Sequence, residues 1–398
     1  MSHMPVTDHW LPSLDRGLPT DAADALLVGR VWDPRHQGPT PVVVLDGEVR
    51  SLAPRHATIS DLVEQRDPVA AAEAAAAEVI GPLAEIYANT AFDTRDRARP
   101  WLLAPHDLQA VKAAGVTFAV SMIERVIEER ARGDLDAAAH LRATILDRIG
   151  GDLRGIRPGS PAAAELKEFF IGEGLWSQYL EVGIGPDAEI FTKAMPLSSR
   201  GTGEQIGVLS TSTWNNPEPE VALVVASDGR AVGATLANDV NLRDVEGRSA
   251  LLLPKAKDNN ASCATGPFIR LFDEGFGIDD VRAMEVSVSV AGVDGFTMVA
   301  SSDMRQISRD PLELVRQLIG PHHQYPDGAI LMMGTLFAPI EDRDAPGKGF
   351  THKVGDVVSI RSEQLGTLTD VVAHSEECEP WTFGLSAFMR NLSARGLL

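Results

Sequence analysis

Cysteine is almost missing from this chain of 398 residues: Cys263 and Cys378 are far apart and lack C-x-x-C spacing. That excludes a disulfide framework and a cysteine-rich zinc site, and it suits a reducing cytoplasm. Basic residues are also scarce, 36 against 56 acidic ones, for a formal charge of -20. A nucleic-acid or anionic-membrane partner needs a basic face to neutralise phosphate, so neither is expected. An anionic substrate would be repelled by the overall field and must be drawn by a local cation, which points towards a metal. No run approaches the ~20 apolar residues of a membrane span. The opening MSHMPVTDHW has no charged segment leading into an apolar one, so no signal peptide is expected and the chain is assigned to the cytoplasm. No internal repeat is present, and low complexity is confined to one alanine tract.

What is present is a hydrophobic fraction of 44%, enough for a large core. Short β-branched runs between Ala25 and Arg66, with a turn at Asp46-Gly47, predict a small β-rich unit. Asp67 and Pro68 open a helix expected to run to Gly81. A charged and then proline-punctuated stretch places a boundary near residue 100, giving a small N-terminal domain over 1–100 and a larger one over 101–398. From about 107 to 181 the pattern is helical, with Ser160 and Pro161 as cap and first turn. Beyond Glu189 short β-branched runs return, so the fold class is α+β.

The stretch Trp214 to Asp244 reads as a buried hairpin turning at Asp228-Gly229. With a two-residue loop, Ser227 faces Arg230, and counting outward sets Glu218 opposite Asp239. Alternation puts Glu220 on the same face, so three carboxylates converge at the edge of a layer whose strand, Val221 to Ala226, is apolar on both sides. Pro217 and Pro219 hold Glu218 extended. Such a patch is a site for a hard cation, Mg2+ before Zn2+, with Mn2+ or Ca2+ also fitting, because the donors are oxygens with no His or Cys among them. The competing reading is a set of solvated strand-end acids, or acids paired with Arg243 and Lys257.

The motifs NPEPEVALV, ANDVNLRD and KDNNASCATGP resemble, in order, the metal-site motifs of the fumarylacetoacetate hydrolase superfamily. The resemblance implies a mixed β-roll or β-sandwich catalytic domain with a helical lid, a small N-terminal domain, and a homo-oligomer, dimer or tetramer. It implies that Glu218, Glu220 and Asp239 hold Mg2+, that Lys257 lies beside the substrate, that Gly266 belongs to the site, and that Thr335 helps hold the substrate carboxylate. Lys193 and Ser198 in FTKAMPLSS are placed at the pocket entrance, the alternative being a strand end and turn. Arg243 is expected near the metal ligands, paired with Asp244.

The superfamily holds carbon-carbon hydrolases, decarboxylases, isomerases and dehydratases, so departures within it matter. The hydrolases' lid motif has a histidine where GVTFAVSMIE has Ser121, with Glu124 in the acid position, and Glu246 stands where many hydrolases have Gln. PHHQYPDG at 321–328 reads as a surface turn, not a substitute. These features resemble the branch that dehydrates 2-keto-3-deoxy sugar acids such as 2-keto-3-deoxy-D-arabinonate. The implied reaction is loss of water from a pentonate, through a metal-stabilised enolate, to 2-oxoglutarate semialdehyde. Glu124 and Glu246 would share acid and base duty, Lys257 would stabilise the oxyanion, and Ser121 would face the substrate one helical turn from Glu124. For Glu124 the alternative is a solvated helix acid, and for Glu246 an ion pair with Arg243 or Arg248. The second functional reading is a C-C bond hydrolase of acylpyruvate or diketo acids. A third is a metabolite-binding relative without turnover.

Overall fold

The computed structural model describes residues 10–118, 122, 156–174, 176–337, 341–344 and 349–398. Near its start, Asp46 and Gly47 both take positive φ, 53° and 75°, as a two-residue hairpin turn requires. With β1 spanning Leu27–Asp33, they join β2 (Gly38–Leu45) to β3 (Glu48–Ser51). The helix opened by Asp67, whose carboxylate accepts from Ala70 N at 3.0 Å, covers Pro68–Ala75 and stops there rather than at Gly81. Val79–Pro82 is instead strand β4, pairing with β3 at the sheet edge, where β-branched residues and a proline are accommodated.

These strands do not form a separate sheet. Further along come β5 (Trp101–Leu102), β6 (Ala110–Gly115), β7 (Glu189–Ala194), β8 (Gln205–Val208) and β9 (Asn215–Asn216). They are followed by β10 (Pro219–Val225), β11 (Ala231–Asp239), β12 (Asn241–Leu242), β13 (Cys263–Leu271), β14 (Glu285–Ala291) and β15 (Thr297–Asp303). The last are β16 (Ala329–Met332), β17 (Val357–Ser362) and β18 (Gly366–His374). The large sheet runs β4-β3-β2-β1-β13-β11-β10-β16-β6-β7, with β5 against β1. Leu27 and Val28 of β1 face Arg270 and Ile269 of β13, so the pairing crosses residue 100 without a break.

A second sheet, β15-β14-β17-β18-β8, packs on the first. Val221, Leu223 and Val225 of β10 enter the core shared with Val286, Val288, Val358 and Ile360. Ala222, Val224 and Ala226, on the opposite face, pack with Ile59, Leu62 and Ala72 from the helices Ile59–Val63 and Pro68–Ala75. The small side chains of Ala222 and Ala226 on that face admit these helices. This explains why β10 is apolar on both sides.

The segment expected to be helical from about 107 contains a strand: β6 lies parallel to β16 and antiparallel to β7. Buried Val111 and Ala113 join the helix-facing core, and that pairing outweighs the helix preference of an alanine-rich stretch. Pro161–Gly172 and Gln178–Ile184 are helices, the first capped by Ser160, whose Oγ accepts from Ala163 N at 3.2 Å. About half of the expected lid, including Ser121 and Glu124, lies outside the described residues. Cys263 and Cys378 are both free and buried.

Candidate metal centre and active site

The hairpin reaches its expected register by a route the sequence did not reveal. Ala226 N donates to Arg230 O and Gly229 N to Ala226 O, both at 2.9 Å, so the loop is three residues, Ser227 to Gly229. Val225 then pairs with Ala231, and an extra residue at Val232 shifts the register back before Val224 meets Gly233. The longer loop and the bulge cancel. Pro219 faces Asn238, and Asp239 N donates to Glu218 O at 3.0 Å.

Glu218, Glu220 and Asp239 are 7%, 2% and 1% exposed, and one carboxylate oxygen from each lies within 4.8 Å of the others. Lys257, ending the short helix Leu253–Lys257, reaches Glu218 Oε2 at 2.6 Å and Asp239 Oδ2 at 3.0 Å. Its Nζ also lies 5.5 Å from the centre of the Phe191 ring. Below them Lys193 is fully buried; its Nζ pairs with Asp239 Oδ1 at 2.9 Å and donates to Val240 O at 3.0 Å and to Lys257 O at 2.6 Å. Lys193 is thus an internal brace, not a residue of the pocket mouth.

Glu220 Oε2 accepts from Gly334 N at 2.6 Å. Gly334 has φ +88, and a Cβ there would lie 2.1 Å from Thr117 Oγ1, so only glycine brings this amide so close. Burial, reinforced by the charges of Asp239 and Glu218, raises the Glu220 pKa well above the usual range. Burial works against the charges of Asp239 and Lys257 too. Lys193 and Lys257 nonetheless hold Asp239 low, and Asp239, Glu218 and Glu246 hold Lys257 high.

Around the triad is a pocket of 30 Å3 lined also by Glu189, Phe191, Glu246, Gly334 and Thr335. Glu246 accepts from Asn241 Nδ2 at 2.6 Å, and the same amide donates to Glu218 at 2.9 Å. Glu189 was not anticipated. It opens β7, opposite Gly115 of β6, where a Cβ would lie 2.1 Å from Glu189 Oε2. A Gly-Glu pair 74 residues apart leaves no local pattern to read. The triad presents oxygen donors alone in a largely buried space, with Lys257 between Glu218 and Asp239. A hard divalent cation fits that donor set.

Other expected residues lie elsewhere. Ser198 Oγ donates to Met195 O at 2.7 Å and lines a different cavity. Arg243 stacks over Trp214, 4.7 Å from its ring centre, while Asp244 accepts from Ser212 Oγ at 2.8 Å and Thr213 N at 2.9 Å. Gly266 sits within β13 facing Leu236 and does not line the acidic pocket. Residues 321–327 form a largely exposed turn, as expected.

Comparison with known proteins fits this geometry. Residues 183–373 match the family described as fumarylacetoacetate (FAA) hydrolase C-terminal. The chain is 36% identical over 180 residues to a 2-dehydro-3-deoxy-D-arabinonate dehydratase of Saccharolobus solfataricus, a match covering 45% of this chain and 57% of that protein. It is 30% identical over 194 residues to a probable 2-keto-3-deoxyxylonate dehydratase of Haloferax volcanii, covering 49% and 63%. The chain thus spans less than two thirds of either curated relative. In fold it is similar to a 2-keto-3-deoxy-D-arabinonate dehydratase solved with magnesium and 2,5-dioxopentanoate, with a TM-score of 0.58 at 23% identity over 87% of this chain and 99% of that one. Residues 183–373, which carry the three acids and Lys257, thus match the fumarylacetoacetate hydrolase C-terminal family, and the chain resembles curated 2-keto-3-deoxypentonate dehydratases over about half of its length.

Proposed function

We propose that the protein is a Mg2+-dependent hydro-lyase that removes water from a 2-keto-3-deoxy sugar acid, a pentonate such as 2-keto-3-deoxy-D-arabinonate. The observation that carries this reading is the buried triad of Glu218, Glu220 and Asp239 bridged by Lys257, with two further carboxylates on the same pocket.

A divalent cation held by the triad would draw charge from the carboxylate and keto oxygens of a 2-keto acid and acidify its C3 proton. The side chains supply the rest. Dehydration needs a group to take the C3 proton and one to protonate the departing C4 hydroxyl. Glu246 and Glu189 line the pocket in described positions, and Glu124 is assigned with them from the sequence. Asn241 holds Glu246 against Glu218, so its carboxylate is aimed before substrate arrives. Lys257 keeps its proton and faces the developing oxyanion. Thr335 lines the same pocket and would help hold the substrate carboxylate.

The test follows purified protein with Mg2+ on 2-keto-3-deoxy-D-arabinonate and on an acylpyruvate. Formation of 2-oxoglutarate semialdehyde from the first is expected; pyruvate release from the second alone would assign carbon-carbon hydrolysis instead. Glu246→Gln and Glu189→Gln should each lower kcat, by ~10²–10⁴ for a lost proton-transfer group. Near-normal turnover in both would remove them from the mechanism.

A further inference from the structure

A second cavity, of 420 Å3, lies between β1, residues 95–104, residues 197–204 and the stretch 379–383. It shares no lining residue with the acidic pocket, and its size lies within the range of small-molecule sites, roughly 300–1,000 Å3. In a chain of net charge -20 its walls are cationic, with Arg30, Arg95, Arg97 and Arg200 against Glu204 and Glu379. The two acids are already engaged: Arg95 meets Glu204 at 2.7 Å, and Arg97 meets Glu379 at 3.2 Å.

Among the described residues two of these arginines meet no carboxylate: one is Arg200, whose Nη2 donates to the Glu379 carbonyl, and the other is Arg30. It is only 5% exposed, and its Nε donates to Ala104 O at 2.9 Å. Its two terminal nitrogens have no acceptor among the described residues, yet they are not sealed from the cavity. The nearby carboxylate of Asp107 is committed to the amides of Ile59, Ser60 and Leu108 at 2.6, 3.0 and 2.8 Å. Burial, only partly offset by Asp107, pulls the Arg30 pKa down to about 10, so it stays charged at neutral pH. A desolvated guanidinium with unused donors is costly, and its planar fork matches a carboxylate or phosphate. Beside it, Trp32 stacks on Trp101 at 5.6 Å and 18°, and Phe383 meets Trp32 edge-on at 5.4 Å, giving the cavity a flat apolar wall.

We propose that this cavity binds a small organic anion, whose carboxylate or phosphate group is held by the terminal nitrogens of Arg30 and whose body packs against Trp32 and Trp381. The site is separate from the metal centre and independent of the reaction proposed there. Such a ligand would tie β1 to the stretch 379–383 and stabilise the folded chain by mass action.

The test is calorimetric titration of the full chain, with Mg2+ present, using succinate as the carboxylate probe and phenyl phosphate as the phosphate probe. Saturable binding of at least one is expected, with Kd around 1 mM or tighter. Arg30→Met should weaken it about tenfold or more, and Arg30→Lys less. Ser198→Trp, which fills the cavity from a partly exposed position and leaves Arg30 in place, should also abolish it, and decides the matter if Arg30→Met does not fold. Glu220→Gln should leave it unchanged. No saturable heat with either probe, unchanged affinity in Ser198→Trp, or loss in Glu220→Gln would overturn the proposal.

Discussion

Lys193 and Asp239 form a buried ion pair, 2.9 Å apart, with side chains 0% and 2% exposed. Lys193 also holds the carbonyls of Val240 and Lys257, so one ammonium fixes an acid of the triad and the backbone that presents Lys257. Lys193→Met leaves Asp239 with one cation fewer, takes the ammonium from Val240 O, and leaves Lys257 O to Ser262 Oγ, which donates to it at 2.7 Å. The expected loss in stability is about 3–5 kcal/mol, the range for breaking a buried pair. Chemical denaturation checks it, and a loss below about 1 kcal/mol would mean the brace is dispensable.

Gly115 makes room for Glu189. In Gly115→Ala the added Cβ would meet Glu189 Oε2 at 2.1 Å, so that side chain must turn out of the pocket. We expect folded protein with kcat reduced and Mg2+ affinity within a few-fold of the parent, since Glu189 is not one of the three acids. Steady-state kinetics paired with metal titration tests this; a parallel loss of metal affinity would place Glu189 in the cation's shell.

The triad was legible in the sequence because acid positions on paired strands follow from counting, and because two departures from the simple hairpin, a longer loop and a bulge at Val232, cancel. Lys257 was legible only through its motif. For Lys193 the sequence left a pocket entrance and a strand end both open; it lies near the end of β7, and nothing local distinguishes a lysine that points into the core. Glu189 and the strand character of β6 were not legible at all: both depend on a β6-β7 pairing across more than seventy residues. Ser198 and Gly266 stand near site residues in sequence but leave the pocket in space, since a turn and a sheet pairing direct them elsewhere.

Asp370 on β18 carries a pH dependence of its own. Burial, with the charge of Glu204 adding to it, raises its pKa well above the usual carboxylate range, although Glu204 N donates to it at 3.3 Å. A raised folded-state pKa means the folded chain holds the proton more tightly. The contribution is fully present below the unfolded value, about 3.9, and is lost as pH rises through the folded value. Asp370→Asn should therefore raise Tm at pH 7, with the gain vanishing under acid conditions. Thermal melts across pH check the sign; destabilisation at pH 7 would show that the ionised carboxylate is compensated.

The central claim is that Glu218, Glu220 and Asp239 jointly hold a divalent cation. The most direct measurement is Mn2+ binding to chelator-treated protein, read by electron paramagnetic resonance, in the parent chain and in Glu220→Gln and Asp239→Asn variants whose circular dichroism is unchanged. One bound ion per chain, displaced by Mg2+ and lost in both variants, is the predicted result. A parent chain that binds no ion, or variants that bind as tightly as the parent, would contradict it.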